Sequence, residues 1–223
     1  MSPDYRYIGA PRGPQVSLVR AHSRQAPVWL LALILAAGGM VAVAPPTHAG
    51  SAAAQRACGW RSEWRPPSHI RVLMPSGRVA RVPFRTYVAR VASSEWGSVP
   101  HELRRAGVIA VKQYAWNKAL HPRFYRGRCF HVWSSTRDQI YRVKTPRPEV
   151  VAAVRSTWGT TLRRHDGSLV FTGYRSGRAG VACARDGGGR LYARSAARCA
   201  RQGWSAERIL LTYYRQRGVR IHR

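Results

Sequence analysis

Glu95 is the residue of this sequence best placed for acid–base chemistry. In Phe84-Arg85-Thr86-Tyr87-Val88-Ala89-Arg90-Val91-Ala92-Ser93-Ser94-Glu95-Trp96-Gly97, the residues Phe84, Tyr87, Val88 and Val91 recur at helical spacing and form one apolar stripe. Glu95 lies four residues beyond Val91 and extends the inward face. It falls in the last turn, where helix carbonyls disfavour an anion. Burial disfavours it as well. Both effects raise a carboxyl pKa toward the range a general acid needs. The bland alternative is a surface glutamate on a frayed turn, paired with one of the many arginines. Gly97 is expected to end the helix in the left-handed conformation.

Carboxylates are rare in this 223-residue chain: 9 Asp and Glu stand against 38 Lys and Arg, for a net charge of +29. Lysine occurs only as Lys112, Lys118 and Lys144, so arginine supplies almost all of the charge. Such a field attracts polyanions such as nucleic acid, acidic lipids or anionic cell-wall polymers, and charge alone does not choose among them. Arg6, Arg12, Arg20 and Arg24 precede an apolar run from Ala26 to Ala44, and Thr47-His48-Ala49 offers small residues for cleavage. Residues 1–49 therefore read as an export signal cut after Ala49, or as a retained membrane anchor. Either outcome places the remainder outside the cytoplasm, secreted or attached to the envelope, with membrane contact only through that segment. Cys58, Cys129, Cys183 and Cys199 then suggest two disulfides. Cys183 with Cys199 closes the shorter loop and is the expected pair, leaving Cys58 to Cys129. The spacings match no zinc pattern, although Cys129-Phe130-His131 could be imagined in a site; no metal and no cofactor is expected.

Residues 50–67 read as a linker that becomes ordered around Cys58, Trp60 and Trp64, and 68–223 as one domain. Ile70–Met74 and Arg78–Val82, joined by Pro75-Ser76-Gly77, predict a hairpin. The helix carrying Glu95 follows. Pro100 then opens a helix to about Leu120 whose Ala106–Val111 stretch is apolar all round, so it should be the central buried helix. Lys112 and Gln113 interrupt that interior and must be paired or line a cavity. An irregular aromatic and basic stretch runs to Tyr141, and Pro148 opens a further helix stopped by Gly159. Thr161–Arg164 and Ser168–Thr172 flank Asp166-Gly167 as a second hairpin. Leu191–Arg201 is an expected helix, and Ser205 caps a last one through Tyr214. Strands and helices mix without regular alternation, which predicts a single α+β domain, its central buried helix packed on antiparallel strands and hairpins. The chain has no phosphate-binding glycine motif and no recognised nucleic-acid motif, so a specific nucleic-acid partner is not expected.

Several strings, in order, resemble the sporulation stage II protein D / LytB domain family. They are Val82–Val88 leading to Ser94-Glu95-Trp96, Pro100-His101-Glu102-Leu103, Ala106–Ala115, Asp138-Gln139-Ile140-Tyr141, the Val150–Gly159 helix with its hairpin, Gln202-Gly203-Trp204-Ser205, Ile209-Leu210 and Tyr213-Tyr214. The match covers roughly Ile70 to Tyr214. The resemblance implies an exported, sporulation-related protein acting on peptidoglycan. Enzymatic members are lytic transglycosylases, and Glu95 stands at their catalytic glutamate. Such a reaction needs one carboxyl group: it protonates the glycosidic oxygen, then accepts the proton of the muramic acid 6-hydroxyl, which attacks to form a 1,6-anhydro sugar.

The resemblance also assigns substrate-facing positions. Trp96 could stack on a sugar face or be plain core. Lys112 and Gln113 stand where members carry arginine and threonine; they contact the lactyl carboxylate or sugar hydroxyls, or else brace Glu95. Gln139 and Tyr141 match a loop near the groove, and Tyr174, Ser176 and Gly177 fall where members line the cleft. One departure is plain. Members carry a glycine-histidine-glycine stretch followed by Met-Ser-Gln, whereas this chain reads Gly187-Gly188-Gly189-Arg190-Leu191-Tyr192-Ala193, without the histidine and with Tyr192 and Ala193 at the serine and glutamine positions. The implied partners are peptidoglycan glycan strands and anionic wall polymers, with an amidase as a further one. The alternative is a non-catalytic wall-binding or amidase-enhancing module on the same fold.

Overall fold

The computed structural model describes residues 58–215 and 218–223. The export segment expected at 1–49 and the first part of the expected linker lie outside them. Among the described residues no helix is long and apolar enough to cross a membrane.

Alternating burial makes the first hairpin. Strands β1 (His69–Leu73) and β2 (Val79–Pro83) pair antiparallel, from His69 opposite Pro83 to Leu73 opposite Val79. Gly77 takes a φ of 78° in the connecting turn, as only glycine does readily. Helix α1 (Phe84–Glu95) follows without a loop, Pro83 standing at its N-cap, because proline already fixes a suitable φ. Helix α2 (His101–Leu120) has Pro100 at its N-cap and Glu102 in its first turn, near the positive helix end. Its residues are buried in an almost unbroken run from Ala106 to Trp116, as expected of a central helix.

The stretch after α2 is more regular than its sequence suggests. It holds the hairpin β3 (Arg123–Tyr125) and β4 (Arg128–Phe130), then β5 (Val132–Trp133), which pairs parallel with β1 to give the sheet order β2-β1-β5. Helix α3 (Pro148–Thr157) packs on α1 and α2. Strand β6 (Thr161–Arg163) is correctly placed, but its ladder partner is the C-terminal β9 (Arg220–His222) rather than Ser168–Thr172. The turn at Asp166-Gly167 does form, and Leu169 reaches Arg163 by a single bridge. Strand β7 (Tyr174–Arg175) pairs parallel with β8 (Leu191–Tyr192), so helix α4 starts only at Ala193 and runs to Arg201. Helix α5 (Ala206–Tyr213) is capped by Ser205, whose hydroxyl accepts the Arg208 N–H at 3.2 Å. The architecture is a single α+β domain with several small sheets around α2.

From Cys58 onward the segment read as a linker that becomes ordered is packed: Trp60 N–H donates to Ala119 O, Trp116 Nε1 to Ser62 O, and Leu169 N–H to the Glu63 carboxylate. One expectation is revised here. Gly97 is not left-handed; Trp96 closes α1, with φ −129°. Glycine is required at 97 for space, since a Cβ would lie 2.7 Å from Ser93 O and 2.9 Å from Arg147 Nε. The cysteines pair as expected, Cys58 with Cys129 and Cys183 with Cys199, with Cα atoms 6.3 and 4.9 Å apart.

Candidate active site

The apolar stripe of α1 does set the direction of Glu95. Phe84, Tyr87, Val88 and Val91 are all buried against α2 and its neighbours, and Glu95 follows them at the last position of the helix. Its side chain is largely enclosed rather than out in water. Oε1 accepts the Ile140 N–H at 2.7 Å, and Oε2 accepts the Tyr174 hydroxyl. Among the described residues no basic side chain lies within ion-pair distance of it. Burial raises the carboxyl pKa to about 7, the dominant effect, while the Ile140 and Tyr174 hydrogen bonds and the more distant Arg175 charge pull it down. At neutral pH the group is divided between acid and carboxylate, which suits a residue that must give and take one proton.

Asp138 is the instructive contrast. It is buried too, but Arg123 pairs with its Oδ2, and it also accepts from the Tyr114 hydroxyl and the Trp133 N–H, 2.7 and 2.8 Å away. That side chain is tied into the structure by a counter-charge and two donors. Glu95 has donors but no counter-charge in contact.

Behind Glu95 stands a fully used amide. Gln139 Nε2 donates to Tyr174 Oη at 3.0 Å and to Val111 O at 3.2 Å, while its Oε1 accepts the Tyr87 hydroxyl at 2.7 Å. Both amide hydrogens and the carbonyl are spoken for, so the Tyr174 oxygen accepts from Gln139 and its hydrogen points to Glu95. Burial and the Glu95 charge raise the pKa of both Tyr87 and Tyr174 well above the usual phenol value, which keeps these hydroxyls protonated as donors.

The expected substrate-facing residues divide sharply. Glu95, Gln139 and Tyr174 come together. Tyr141 adjoins them but is buried: it stacks on Tyr87 at 5.5 Å and its hydroxyl accepts from Arg90 at 2.7 Å. Trp96 cannot stack on a sugar. It is 1 % exposed, and its ring fills the space left by Gly107 in α2. Lys112, also 1 % exposed, donates to the carbonyls of Thr157, Trp158 and Thr160 at 3.2, 2.6 and 2.7 Å, closing the C-terminal end of α3. Burial, with the Arg85 charge nearby, lowers its pKa to about 7; the three carbonyls favour the charged form. Gln113 stitches Leu162 and Val170 to α2: Nε2 donates to both carbonyls at 2.7 Å and Oε1 accepts the Leu162 N–H at 2.8 Å. Of the two outcomes left open for Lys112 and Gln113, neither side chain touches Glu95 and neither faces solvent; they fix α2 to the segment at 157–170. Ser176 is exposed beyond β7, with its carbonyl held by Arg194 N–H at 3.0 Å.

Phe171 was not anticipated. Trp96, Tyr174, Tyr114 and Phe171 form a series with successive centroid separations of 5.3, 6.2 and 5.1 Å, from the enclosed carboxyl out to Phe171, which is 39 % exposed. The sequence signal was an aromatic closing the apolar run Leu169-Val170-Phe171, absorbed into an expected strand. Tyr87 was read as apolar stripe, although a buried phenol has to find a partner. The Ile140 N–H carries no side-chain signal at all.

Cys58, Cys129 and His131 offer atoms within 4.8 Å of one another. The sulfurs are joined to each other, and both His131 nitrogens are engaged: Nδ1 accepts the Arg71 N–H at 3.1 Å, so Nε2 carries the proton toward Cys58 O at 3.2 Å. Burial lowers the His131 pKa to about 4, keeping the ring neutral. The cluster as it stands is a structural staple.

The Gly187–Gly189 loop, where the chain departs from the family pattern, anchors itself on α5: the N–H groups of Gly188 and Gly189 both donate to Tyr213 O, at 3.2 and 2.8 Å. Neither Tyr192 nor Ala193 is a hydrogen-bond partner of Glu95; Ile140 and Tyr174 hold that carboxyl. In comparisons with known proteins, the chain matches no family model and no curated sequence.

Proposed function

We propose that this protein is an exported lytic transglycosylase of peptidoglycan glycan strands, with Glu95 as the acid and then the base. The observation that carries this reading is the enclosed Glu95 carboxyl, poised at a pKa of about 7 and held by one N–H and one phenol with no ion pair. The disulfides agree with an oxidising, extracytoplasmic setting.

In the first half of the reaction Glu95 gives its proton to the glycosidic oxygen as the C1–O4 bond breaks. The resulting carboxylate is stabilised by the Tyr174 hydroxyl and Ile140 N–H already aimed at it, which costs no reorganisation. The substrate's 6-hydroxyl then bonds to C1 and its proton returns to Glu95. No water is consumed, no second carboxylate is needed, and the intramolecular attacker has a high effective concentration. Phe171 offers the exposed aromatic face that Trp96 does not, at the outer end of the ring series that starts next to the acid.

A second reading has its own support. Five residues expected at the groove, namely Trp96, Lys112, Gln113, Gln139 and Tyr141, are used up in internal contacts. The two cavities described below lie on the hairpins and are lined with arginine. That pattern favours a wall-binding or amidase-enhancing module without chemistry. Product analysis separates the two. Wild-type protein and Glu95→Gln are incubated with purified glycan strands on either side of pH 7, and the products are resolved by mass spectrometry. The transglycosylase reading expects anhydro-muramic ends from wild type and none from the variant. Equal blanks from both leave the binding module.

A further inference from the structure

The β1–β2 hairpin and the β3–β4 hairpin against it flank two adjoining open cavities of about 440 and 340 Å³ that share Arg128. Arg78 and Arg126 line the larger one, Arg71 and Arg81 the smaller. No carboxylate lines either, and among the described residues none of Arg71, Arg78, Arg126 and Arg128 forms an ion pair.

Two features of this cleft run against the folding preferences of the chain. The antiparallel register sets Arg71 directly opposite Arg81, a like-charged cross-strand pair that destabilises a ladder. Arg81 turns to His69 Nδ1 at 3.1 Å, which supplies no negative charge. At the β3–β4 tip, Arg126 has a φ of 48° and Gly127 a φ of 72°. The second position has its glycine; the first holds a side chain that disfavours this conformation, where asparagine or glycine is usual. Cys129, at the floor of the smaller cavity, is tied to Cys58, so the upper hairpin is stapled in place. Repulsion and backbone strain are thus concentrated where guanidinium groups converge, and an anion from outside relieves the first.

We infer that this cleft binds a linear polymer of phosphate groups that carries no aromatic rings, through its phosphates. A tetrahedral phosphate presents oxygens in several directions, matching arginines that arrive from three strands and two turns. A planar carboxylate satisfies one guanidinium fork at a time. Single-stranded nucleic acid fits less well, because binding it relies on open aromatic faces. Tyr125 is the one aromatic lining the larger cavity, and its ring is already met by the edge of Trp133 at 5.4 Å and by Arg126 at 5.3 Å. A lipid surface calls for an exposed apolar wedge among the charges; Val79 and Cys129 in the smaller cavity are only half-exposed, and the exposed Phe124 of β3 lines neither cavity. This site is independent of Glu95: its ligand is read by binding, not by cleavage.

The test uses the whole chain and an end-labelled linear polyphosphate, with affinity followed by anisotropy over a series of salt concentrations. A single-stranded oligonucleotide and a polyglutamate of equal charge are run as competitors. Wild type should bind polyphosphate more tightly than either. The double variant Arg78→Ala, Arg128→Ala should lower the slope of log affinity against log salt by about two, one per lost phosphate contact. Arg155→Ala with Arg198→Ala, which removes the same charge from exposed helix positions elsewhere, should leave the slope unchanged. Arg126→Gly should weaken polyphosphate binding while raising the melting temperature, since it releases the strained backbone. Equal effects of the two double variants, or an oligonucleotide that outcompetes polyphosphate at equal charge, overturn the proposal. So does Arg126→Gly that binds as wild type does.

Discussion

The Tyr174 hydroxyl donates to Glu95 Oε2 while accepting from Gln139 Nε2 at 3.0 Å. A carboxyl at the end of one helix is thereby referred to an amide 44 positions away in the chain, and through it to the backbone of α2 at Val111. The phenol stabilises the anion against the burial that disfavours it.

Tyr174→Phe removes that donor and leaves the ring packing in place. The Glu95 pKa should rise above 7 by about one unit, the worth of one hydrogen bond to the charged form. Carbon-13 NMR titration of labelled glutamate reads this directly. If Glu95 acts as the acid, the alkaline limb of the pH–rate profile moves up by the same amount. A purely structural role for Tyr174 would leave the profile where it was.

Glu95 also makes stability depend on pH. Its pKa is 4.5 for an ordinary glutamate and about 7 in the folded protein. Below about 4.5 it is protonated in both states, so nothing is lost. Between 4.5 and 7 the unfolded chain sheds the proton first, and stability falls as pH rises, by about 3 kcal/mol in total. His131, about 4 in the folded protein against an ordinary 6.5, gains stability as pH rises over an overlapping range, so the decline is read as the difference between wild type and Glu95→Gln in urea unfolding. In Glu95→Gln this contribution should disappear.

On the transglycosylase reading, Phe171→Ala should raise KM for glycan strands on the order of tenfold while kcat changes less than about twofold, the pattern of a group that binds substrate and transition state equally. A fall in kcat with KM unchanged would contradict a stacking role. Steady-state kinetics with soluble strands separates the two.

Gly107→Ala should disturb the site from beneath. A Cβ there would lie 2.6 Å from Trp96 Cγ and 2.8 Å from its Cε3, within a packed core. The expected loss is about 1–3 kcal/mol in chemical denaturation.

Lys112→Met keeps the aliphatic stem and removes the ammonium. The carbonyls of Thr157, Trp158 and Thr160 lose their common donor, which should cost about 2–3 kcal/mol at pH 6, where the wild-type lysine is charged. On the transglycosylase reading, glycan cleavage per folded molecule should persist, because Lys112 does not touch Glu95. Loss of cleavage in a folded variant would assign it a closer part.

Local pattern carried much of the fold. The β1–β2 hairpin, α1, α2 with its apolar Ala106–Val111 stretch, the Pro148 helix and the Ser205 cap depend on periodicity, proline, glycine and capping chemistry within a few residues. What escaped were pairings between distant segments. Two-residue strands such as β7 and β8 have no periodicity to detect, and β6 finds β9 almost sixty residues later. The position of Glu95 on the inward face was likewise legible, since a helix repeats every four residues or so.

The sequence by itself determined that one carboxyl, in a strongly basic chain, ends an apolar stripe, and that polar Lys112 and Gln113 would need partners inside. It could not say which partners, because a hydrogen bond depends on angstrom-level approach between segments that chain order does not bring together. Tertiary structure alone decided that Tyr174 and the Ile140 N–H hold Glu95 and that Trp96 packs against Gly107. It also turned Lys112 to the end of α3 and gathered the arginines of two hairpins around one cleft. Charge and periodicity are properties of a string; counter-charge, enclosure and convergence exist only once the string is folded.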